Sequence, residues 1–534
     1  MKRKIEMEID EVELRGIFFG LKQYPDIKIK FKENEFLPKL LPHDIIQYSK
    51  IIYDSFYEIE ILNILERKPF YTLAIVSGFH SISQTYFLFY PLLPKSFQFH
   101  LTSFPNLHLQ IKERILIKIH LHHIEFIKNY GDVLLRDVDD IILEDLYCLS
   151  FQFPLPVFEN IQITQHPYSF YTQEFQDLRY LPTFHIDPYT TKDIDDAISV
   201  LPDQNKVFIH IVDITQIEAL STLDKQACFL GSTLYLPNQN FPMYPAFYAE
   251  YQLSLLPQHT RKVITIEMEI EDEKDEEFHC PKIKSYDIYP SLIQVKRSYH
   301  YENVDKNEKD IEYLWKITEK YYQRNISILH PSFQCNEHGN VTHIQFDNHS
   351  TIPHFIIEMF MIMTNRLITQ HLQSFNIQCP ERYHPKCYID ETIEQITEDD
   401  DINQICLIQK YKNAKYDSTQ HSHFGLQIEH YTHFTSPIRR YFDNIVHRML
   451  AGYEYHNLDE IIKHLNEREN QNEQLIRLYQ LWKWMDYIYP LKKNQHLFLS
   501  HITNVSPKGI KVYCKELGYD AFILCPYIMS NIYW

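Results

Sequence analysis

Glycine is scarce in this chain, with 10 residues in 534 against an average near ~7%. Isoleucine, tyrosine, phenylalanine and histidine abound instead, which reads as nucleotide bias in the source genome and excludes no chemistry. The nine cysteines form no Cys-x-x-Cys pair. The nearest two, Cys379 and Cys387, match no zinc spacing, so reduced and mostly buried thiols in a cytosolic protein are expected. No apolar run is long enough to span a bilayer, and the stretch from Tyr86 to Leu93 is short and interrupted. The N-terminal segment Met1-Lys-Arg-Lys-Ile-Glu-Met-Glu-Ile-Asp10 lacks the apolar region of a secretory signal. No membrane partner is expected, and the cytoplasm is the expected compartment, with an organelle as the alternative. Positive charge is also in deficit, with 52 Lys and Arg against 71 Asp and Glu and a net charge of −19. Polyanion binding is driven by basic surface and counterion release, so a nucleic-acid partner requires charge to be segregated locally. Two acidic runs, Glu271–Glu277 and Glu398–Asp401, hold part of the surplus and read as hydrated loop or helix faces.

The most informative segment is His185-Ile-Asp-Pro-Tyr-Thr-Thr-Lys-Asp-Ile-Asp-Asp-Ala-Ile-Ser-Val200. It packs Asp187, Asp193, Asp195 and Asp196 into ten residues. Carboxylates this close repel one another unless positive charge lies between them, and the usual answer is a hard divalent cation on oxygen ligands. A solvated acidic turn is the simpler alternative, but apolar strands flank the cluster. Thr183–Ile186, Ala197–Leu201 and Val207–Val212 read as strands, with Pro202-Asp-Gln-Asn205 as a turn. If the chain is already extended at Asp193, alternation puts Asp193 and Asp195 on one face and Asp196 on the other. Asp187 is then brought in by the loop. An acidic nest on a rigid sheet is how two-metal phosphoryl hydrolysis is built, with ions ~3.5–4 Å apart.

A second segment, Tyr431-Thr-His-Phe-Thr-Ser-Pro-Ile-Arg-Arg-Tyr-Phe-Asp-Asn-Ile-Val-His-Arg-Met-Leu450, opens with a helix start signal. Thr435 or Ser436 can cap, and Pro437 suits the first helical position. Arg439 and Arg440 would then sit in a first turn that disfavours cations, which suggests placement for a ligand. Arg440, Asp443 and His447 share one helical stripe and read as a structural polar network. Arg439 lies off that stripe and is the better phosphate-binding candidate.

Together these segments resemble the ribonuclease II / ribonuclease R family, whose catalytic unit is the RNB domain. Asp177-Leu-Arg-Tyr-Leu-Pro182 resembles the approach to the first aspartate, and His185-Ile-Asp-Pro to Lys192-Asp-Ile-Asp-Asp-Ala197 resembles the metal motif. Leu234-Tyr-Leu-Pro237 and Tyr301-Glu-Asn-Val304 are similar to segments bearing RNA-contacting tyrosines. Ile357-Glu-Met-Phe-Met361 with Thr364-Asn365 resembles the central helix. Arg382-Tyr-His-Pro385 and His423-Phe-Gly-Leu426 are further landmarks. The resemblance runs from about Asp177 to Trp482, and several ordered motifs weigh more than one acidic window.

The resemblance implies a magnesium-dependent enzyme, with manganese as a substitute. It would hydrolyse single-stranded RNA processively from the 3′ end to nucleoside 5′-monophosphates. Asp187, Asp193, Asp195 and Asp196 would hold or orient the metal ions, with Asp196 the helper in the chemical step. Arg439 would hold the scissile phosphate and steady developing charge. Tyr235 would guide RNA, and Tyr301 would help distinguish it through the 2′-hydroxyl. Two family acids are missing: one position is Met359, and the other falls within Ile476 to Leu478, with Glu473 one turn earlier as a substitute. A catalytically weak or inactive RNA-binding scaffold is the alternative from another class, and an exonuclease indifferent to sugar type is a third reading. An RNA-degradation complex is a further partner the sequence leaves open.

An α+β fold is expected, with an RNB catalytic domain flanked by oligonucleotide-binding barrels. Residues 1–65 would hold a reduced β module, faintly signalled by Val12–Phe18. Residues 66–150 would form a cold-shock-like barrel, from the strand-like runs Tyr71–Gly78, Thr85–Tyr90 and Ile115–His120; an unrelated β-domain is the alternative there. Residues 151–490 would form the catalytic domain, ending in a helical stretch from Leu458 to Tyr487. Residues 491–534 resemble the start of a closing RNA-binding barrel that is either shortened or continued beyond this sequence.

Overall fold

The computed structural model describes residues 18–524 apart from short internal stretches, the longest being 32–44, 149–162, 166–173, 322–329 and 387–412. The segment Val12–Ile17, Cys387 and the acidic run Glu398–Asp401 lie outside the described residues. The chain divides into two compact units. One takes Met1–Val157, Cys335–Val341 and Asn470–Tyr487; the other takes Phe158–Gln334, Thr342–Glu469 and Ile488–Trp534.

The first unit opens with a four-stranded sheet of β1 (Phe18–Leu21), β2 (Tyr24–Phe31), β3 (Ile45–Ile52) and β4 (Tyr57–Glu66), in the order β1-β2-β4-β3. A five-stranded sheet follows, of β5 (Phe70–His80), β6 (Thr85–Phe89), β7 (His100–Thr102), β8 (Glu113–Ile119) and β9 (Ile124–Asp132), ordered β7-β6-β5-β8-β9. Alternation explains its single core. Phe70, Ala74, Val76, Ile115, Ile117 and Ile119 point inward and pack with Tyr86, Tyr90 and Leu101. Helix α1 (Asp139–Cys148) supplies the buried Asp139, which takes the Arg114 guanidinium at 2.5 Å and the Lys483 ammonium at 3.5 Å. Burying that carboxylate demands such partners.

The second unit is built on a seven-stranded sheet ordered β11-β18-β17-β14-β13-β12-β19. After the short β10 (Ile163–Gln165), its members are β11 (Gln176–Asp177), β12 (Phe184–Asp187), β13 (Asp196–Leu201), β14 (Lys206–Val212), β17 (Thr260–Lys274), β18 (Pro281–Gln294) and β19 (Arg297–His300). The hairpin β15 (Leu234–Tyr235) and β16 (Asn240–Phe241) precedes β17. Strand β14 is buried from Val207 to Val212, as a near-continuous apolar run covered on both faces should be. One row of polar side chains crosses the middle of the sheet: Thr183 to Ser199 (2.8 Å), Ser199 to His210 (2.9 Å), His210 to Thr265 (2.8 Å) and Thr265 to Ser291 (2.5 Å). Burial drives the His210 pKa down to about 3, so the ring stays neutral and its two nitrogens complete the row. The acidic run at Glu271 was expected on a loop or helix face. Its first residues belong instead to β17, where Glu271 pairs with Lys282 of β18 at 2.9 Å.

Helices cover this sheet's unit: α2 (Thr222–Leu230), α3 (Lys309–Thr318), α4 (Ile352–Ser374) and α5 (Tyr441–Leu450). The small pairs β20 (His330–Cys335) with β21 (Val341–Asp347), β22 (Glu381–Tyr383) with β23 (Lys415–Asp417), and β24 (Tyr453–Tyr455) with β10 complete it. Helix α6 runs from Leu458 to Lys493. The three-stranded sheet β25 (His501–Ser506), β26 (Gly509–Cys514) and β27 (Tyr519–Leu524) follows. Among the described residues, no helix is long and apolar enough to cross a membrane.

Candidate active site

Asp187 ends β12 and Asp196 begins β13. The strands run antiparallel with Phe184 opposite Ile198, a register that carries both acids to the same end of the sheet. The sheet itself therefore brings Asp187 in, where a loop was expected to do so. Between them the chain is irregular from Thr191 to Asp195, so Asp193 and Asp195 do not share a strand face. This corrects the alternation expected from an extended chain. The buried Ser254 shapes the segment instead, donating its hydroxyl to the Lys192 carbonyl at 2.7 Å and accepting the Ile194 N–H at 3.1 Å. Two such bonds to one hydroxyl turn Asp193 and Asp195 toward different partners.

Each acid is held by a separate group. Asp187 Oδ2 lies 2.9 Å from His185 Nδ1, and His185 Nε2 lies 2.8 Å from Ser298 Oγ. Asp193 accepts a hydrogen bond from the Tyr235 hydroxyl. Asp195, 5% exposed, accepts the Ile438 N–H at 2.7 Å and stands 3.5 Å from Arg439 Nε. The Arg439 guanidinium also donates to Ser436 Oγ at 2.8 Å and is 43% exposed. It thus faces the acids while keeping a side open to a ligand.

The turn that carries Arg439 is not the helix start the sequence suggested. Residues 437–439 form a turn, Arg440 is extended (φ −133°, ψ 120°), and α5 begins at Tyr441. Tertiary contacts explain the delay. Asp443 accepts the Ser436 N–H at 2.8 Å and Arg440 Nη2 at 2.9 Å. Arg440 bridges Ser232, Thr233 N–H donates to the Arg439 carbonyl at 2.9 Å, and Tyr441 N–H donates to the Gly231 carbonyl at 2.9 Å. Gly231 ends α2 at φ 75°, a left-handed position that glycine takes without strain. The chain leading to Tyr235 and the chain bearing Arg439 are thereby locked side by side. The expected Arg440–Asp443 pair is present. His447 departs from that network: its Nε2 lies 2.9 Å from the Phe434 carbonyl and its ring stacks on Phe434.

Electrostatics follow from this crowding. Burial raises the carboxyls of Asp193 and Asp195 above the ordinary range, despite the opposing pull of Arg439. Asp196 is pushed up to about 8, first by burial and then by neighbouring Asp187. One arginine does not neutralise four acids. An all-oxygen donor set short of positive charge fits hard divalent cations such as Mg2+. The four acids do not converge on one point. Among the described residues, the one group of three such side chains with ligand atoms all within 4.8 Å is Glu381, His421 and His430.

Tyr301 stacks on His354 with ring centroids 3.7 Å apart and planes at 10°. Its N–H approaches the Asp187 carbonyl at 3.4 Å, and burial with Asp196 and Asp187 raises its hydroxyl pKa. All seven residues singled out in the sequence thus belong to the second unit, and Tyr235 and Arg439 reach the acids directly. Met359, at the missing-acid position, is buried on α4. Glu473 is taken up by Arg477 at 3.2 Å. Sequence reading missed the supporting residues His185, Ser254 and Ser298. His185 lay inside the quoted motif, whereas Ser254 and Ser298 carry no local signal.

The RNB domain family matches residues 175–456, just over half of the chain, and the chain belongs to that family. Among curated relatives, Ribonuclease R of Chlamydia pneumoniae is 25% identical over 458 residues, covering 76% of this chain and 66% of the relative. The chain thus spans just under two thirds of that relative's length. Among solved structures, Mycoplasma genitalium RNase R in complex with ribose methylated single-stranded RNA superposes with a TM-score of 0.74 at 20% identity, covering 99% of this chain and 93% of that one. Yeast Ssd1, a pseudonuclease, shares the fold with a TM-score of 0.70 at 14% identity, covering 97% and 79%.

Proposed function

We propose that this protein is a divalent-metal-dependent 3′→5′ exoribonuclease that hydrolyses single-stranded RNA to nucleoside 5′-monophosphates. The observation that carries this reading is the gathering of four carboxylates at one sheet end, opposite a partly open arginine. Asp187, Asp193, Asp195 and Asp196 would hold the ions. When bound, Mg2+ supplies Lewis-acid charge to the phosphoryl oxygens and makes water more acidic. The chain supplies the rest. Arg439 offers its open side to the scissile phosphate and steadies charge as it grows there. His185 holds Asp187, Ile438 N–H holds Asp195, and Tyr235 holds Asp193 until RNA competes for its hydroxyl. Tyr301, braced by His354, would sense the 2′-hydroxyl. Exposed Phe79, Phe87 and Phe89 of the five-stranded sheet offer stacking surface for bases, which needs little positive charge.

The direct test is 5′-labelled single-stranded RNA incubated with Mg2+ and with chelator. A ladder shortening from the 3′ end and lost on chelation is the expected result. A silent scaffold is the second reading, favoured by the fold shared with a pseudonuclease, and RNA binding without any ladder would establish it. DNA of the same sequence tests whether the sugar matters.

Arg439→Lys keeps a charge but loses the planar fork. Turnover should fall about 100- to 1,000-fold while the RNA dissociation constant moves far less, as read by single-turnover kinetics beside a binding titration.

Proton linkage gives a second expectation. Without metal, the raised pKa of Asp196, about 8 against an ordinary 3.8, means that the fold favours the protonated acid. That stabilisation is complete below the ordinary value and is lost as pH rises through about 8. A cation must displace this proton, so Mg2+ affinity should climb from pH 6 to pH 8 with proton release on binding. Calorimetry in buffers of different ionisation enthalpy measures it, and a pH-independent affinity would contradict the assignment.

A further inference from the structure

Away from the four aspartates, Glu381 lies on β22, His421 follows β23, and His430 begins the segment that leads to Arg439. Glu381 is 1% exposed. Its Oε1 lies 3.0 Å from His430 Nδ1 and 3.2 Å from His421 Nδ1. All three ligand atoms lie within 4.8 Å of one another. Zinc ligands at ~2.0–2.2 Å around a tetrahedral ion stand about 3.3 Å apart, close to both measured separations. Imidazole nitrogen with one carboxylate oxygen is a donor set for zinc-class ions, not for magnesium.

The surroundings favour a cation over protons alone. The backbone N–H of Tyr431 anchors the other Glu381 oxygen at 3.3 Å, which orients Oε1 toward the histidines. His430 Nδ1 also lies 3.0 Å from the Gln373 side-chain amide. One imidazole nitrogen carries a proton or a lone pair, so with the Gln373 amide nitrogen turned toward it, it cannot both donate to Glu381 and accept from Gln373. His421 Nδ1 is buried and makes no hydrogen bond of acceptable geometry, although it faces Glu381. A cation among the three atoms satisfies both nitrogens and the oxygen at once. Gln373, at the end of α4, can turn its amide oxygen inward as a fourth ligand, or water can take that place. Both histidine side chains are 40% exposed, which leaves an entry path.

We propose that Glu381, His421 and His430 form a zinc-class metal site that clips the segment entering the Arg439 turn onto β22. This site is separate from the acidic centre and independent of the proposed nuclease reading. It would act on structure: the ion ties β22 to two points 40 and 49 residues further along the chain, directly ahead of the run from Tyr431 to Phe434.

The test uses the full chain carrying Asp195→Asn and Asp196→Asn, so that the acidic centre contributes little. After chelator treatment and its removal, Zn2+ is titrated against a chromophoric competitor, and Co2+ is added as a spectroscopic probe. One equivalent of zinc should bind, and Co2+ should give the intense visible bands of a tetrahedral site. His421→Gln and His430→Gln, at half-exposed positions, should each weaken binding by more than the about 10- to 100-fold expected for an outer-shell partner, and both should erase the cobalt bands. Circular dichroism of the apo variants verifies that they fold. Absence of zinc binding, or binding undiminished by both histidine substitutions, would overturn the proposal. So would equal occupancy by Mg2+.

Discussion

Asp196→Asn is expected to leave RNA binding within about twofold while hydrolysis falls by at least ~1,000-fold, the upper end of what one preorganised charged group supplies. The substitution keeps the shape of the side chain and removes one negative charge from a centre already crowded with them. Asp196 starts β13 inside a sheet whose register is secured by six residue pairs with β14, so the backbone has little reason to move. The folded chain should gain stability, because the amide no longer needs a proton near neutrality. A single-turnover assay with saturating labelled RNA, beside a binding titration without metal, separates the effects. Equal loss of binding and turnover would remove Asp196 from the chemical step and leave it a purely architectural role.

Arg448→Met should lower stability by about 3–5 kcal/mol, because it strands a buried carboxylate. Arg448 and Asp224 are 1% and 0% exposed and lie 2.8 Å apart. Asp224 also accepts the Leu220 N–H at 2.8 Å, so the acid cannot turn to water without opening the start of α2. That helix runs to Gly231, whose carbonyl receives Tyr441 N–H beside the Arg439 turn. The loss should therefore appear first as an earlier denaturant transition and then as weaker retention of the Arg439 geometry. Adding Asp224→Leu removes the stranded charge and should recover part of the loss. A double variant no better than the single one would show that packing of the arginine stem, rather than charge, is at stake.

Several features were legible without tertiary structure because their causes are local. The strands around the aspartates could be read from apolar runs and turn residues, and β12, β13 and β14 match them within a residue or two at each end. The strand runs Tyr71–Gly78, Thr85–Tyr90 and Ile115–His120 also reappear as β5, β6 and β8. The separation of Arg439 from Arg440 rested on helical spacing that misjudged the helix start, yet the Arg440–Asp443 pair formed. The start signal at Ser436 and Pro437 failed for a specific reason. Asp443 captured the Ser436 N–H, and Ser232 held Arg440 extended. These contacts outweigh a capping preference worth only ~1 kcal/mol. The Glu271 run was misread because its lysine partner, Lys282, lies across a hairpin, on β18.

By itself the sequence determined which chemistry was on offer: four clustered carboxylates, one guanidinium free of the helical stripe, and apolar strands rigid enough to hold them. Tertiary structure decided which oxygen meets which partner. Strand register carried Asp187 to Asp196, Ser254 turned Asp193 from Asp195, and the Gly231 crossing brought Tyr235 beside Arg439. The same long-range folding drew Glu381, His421 and His430 together across stretches of 40 and 9 residues. Local periodicity encodes the directions of neighbouring side chains, but a meeting between distant ones depends on backbone hydrogen bonds that no short window contains.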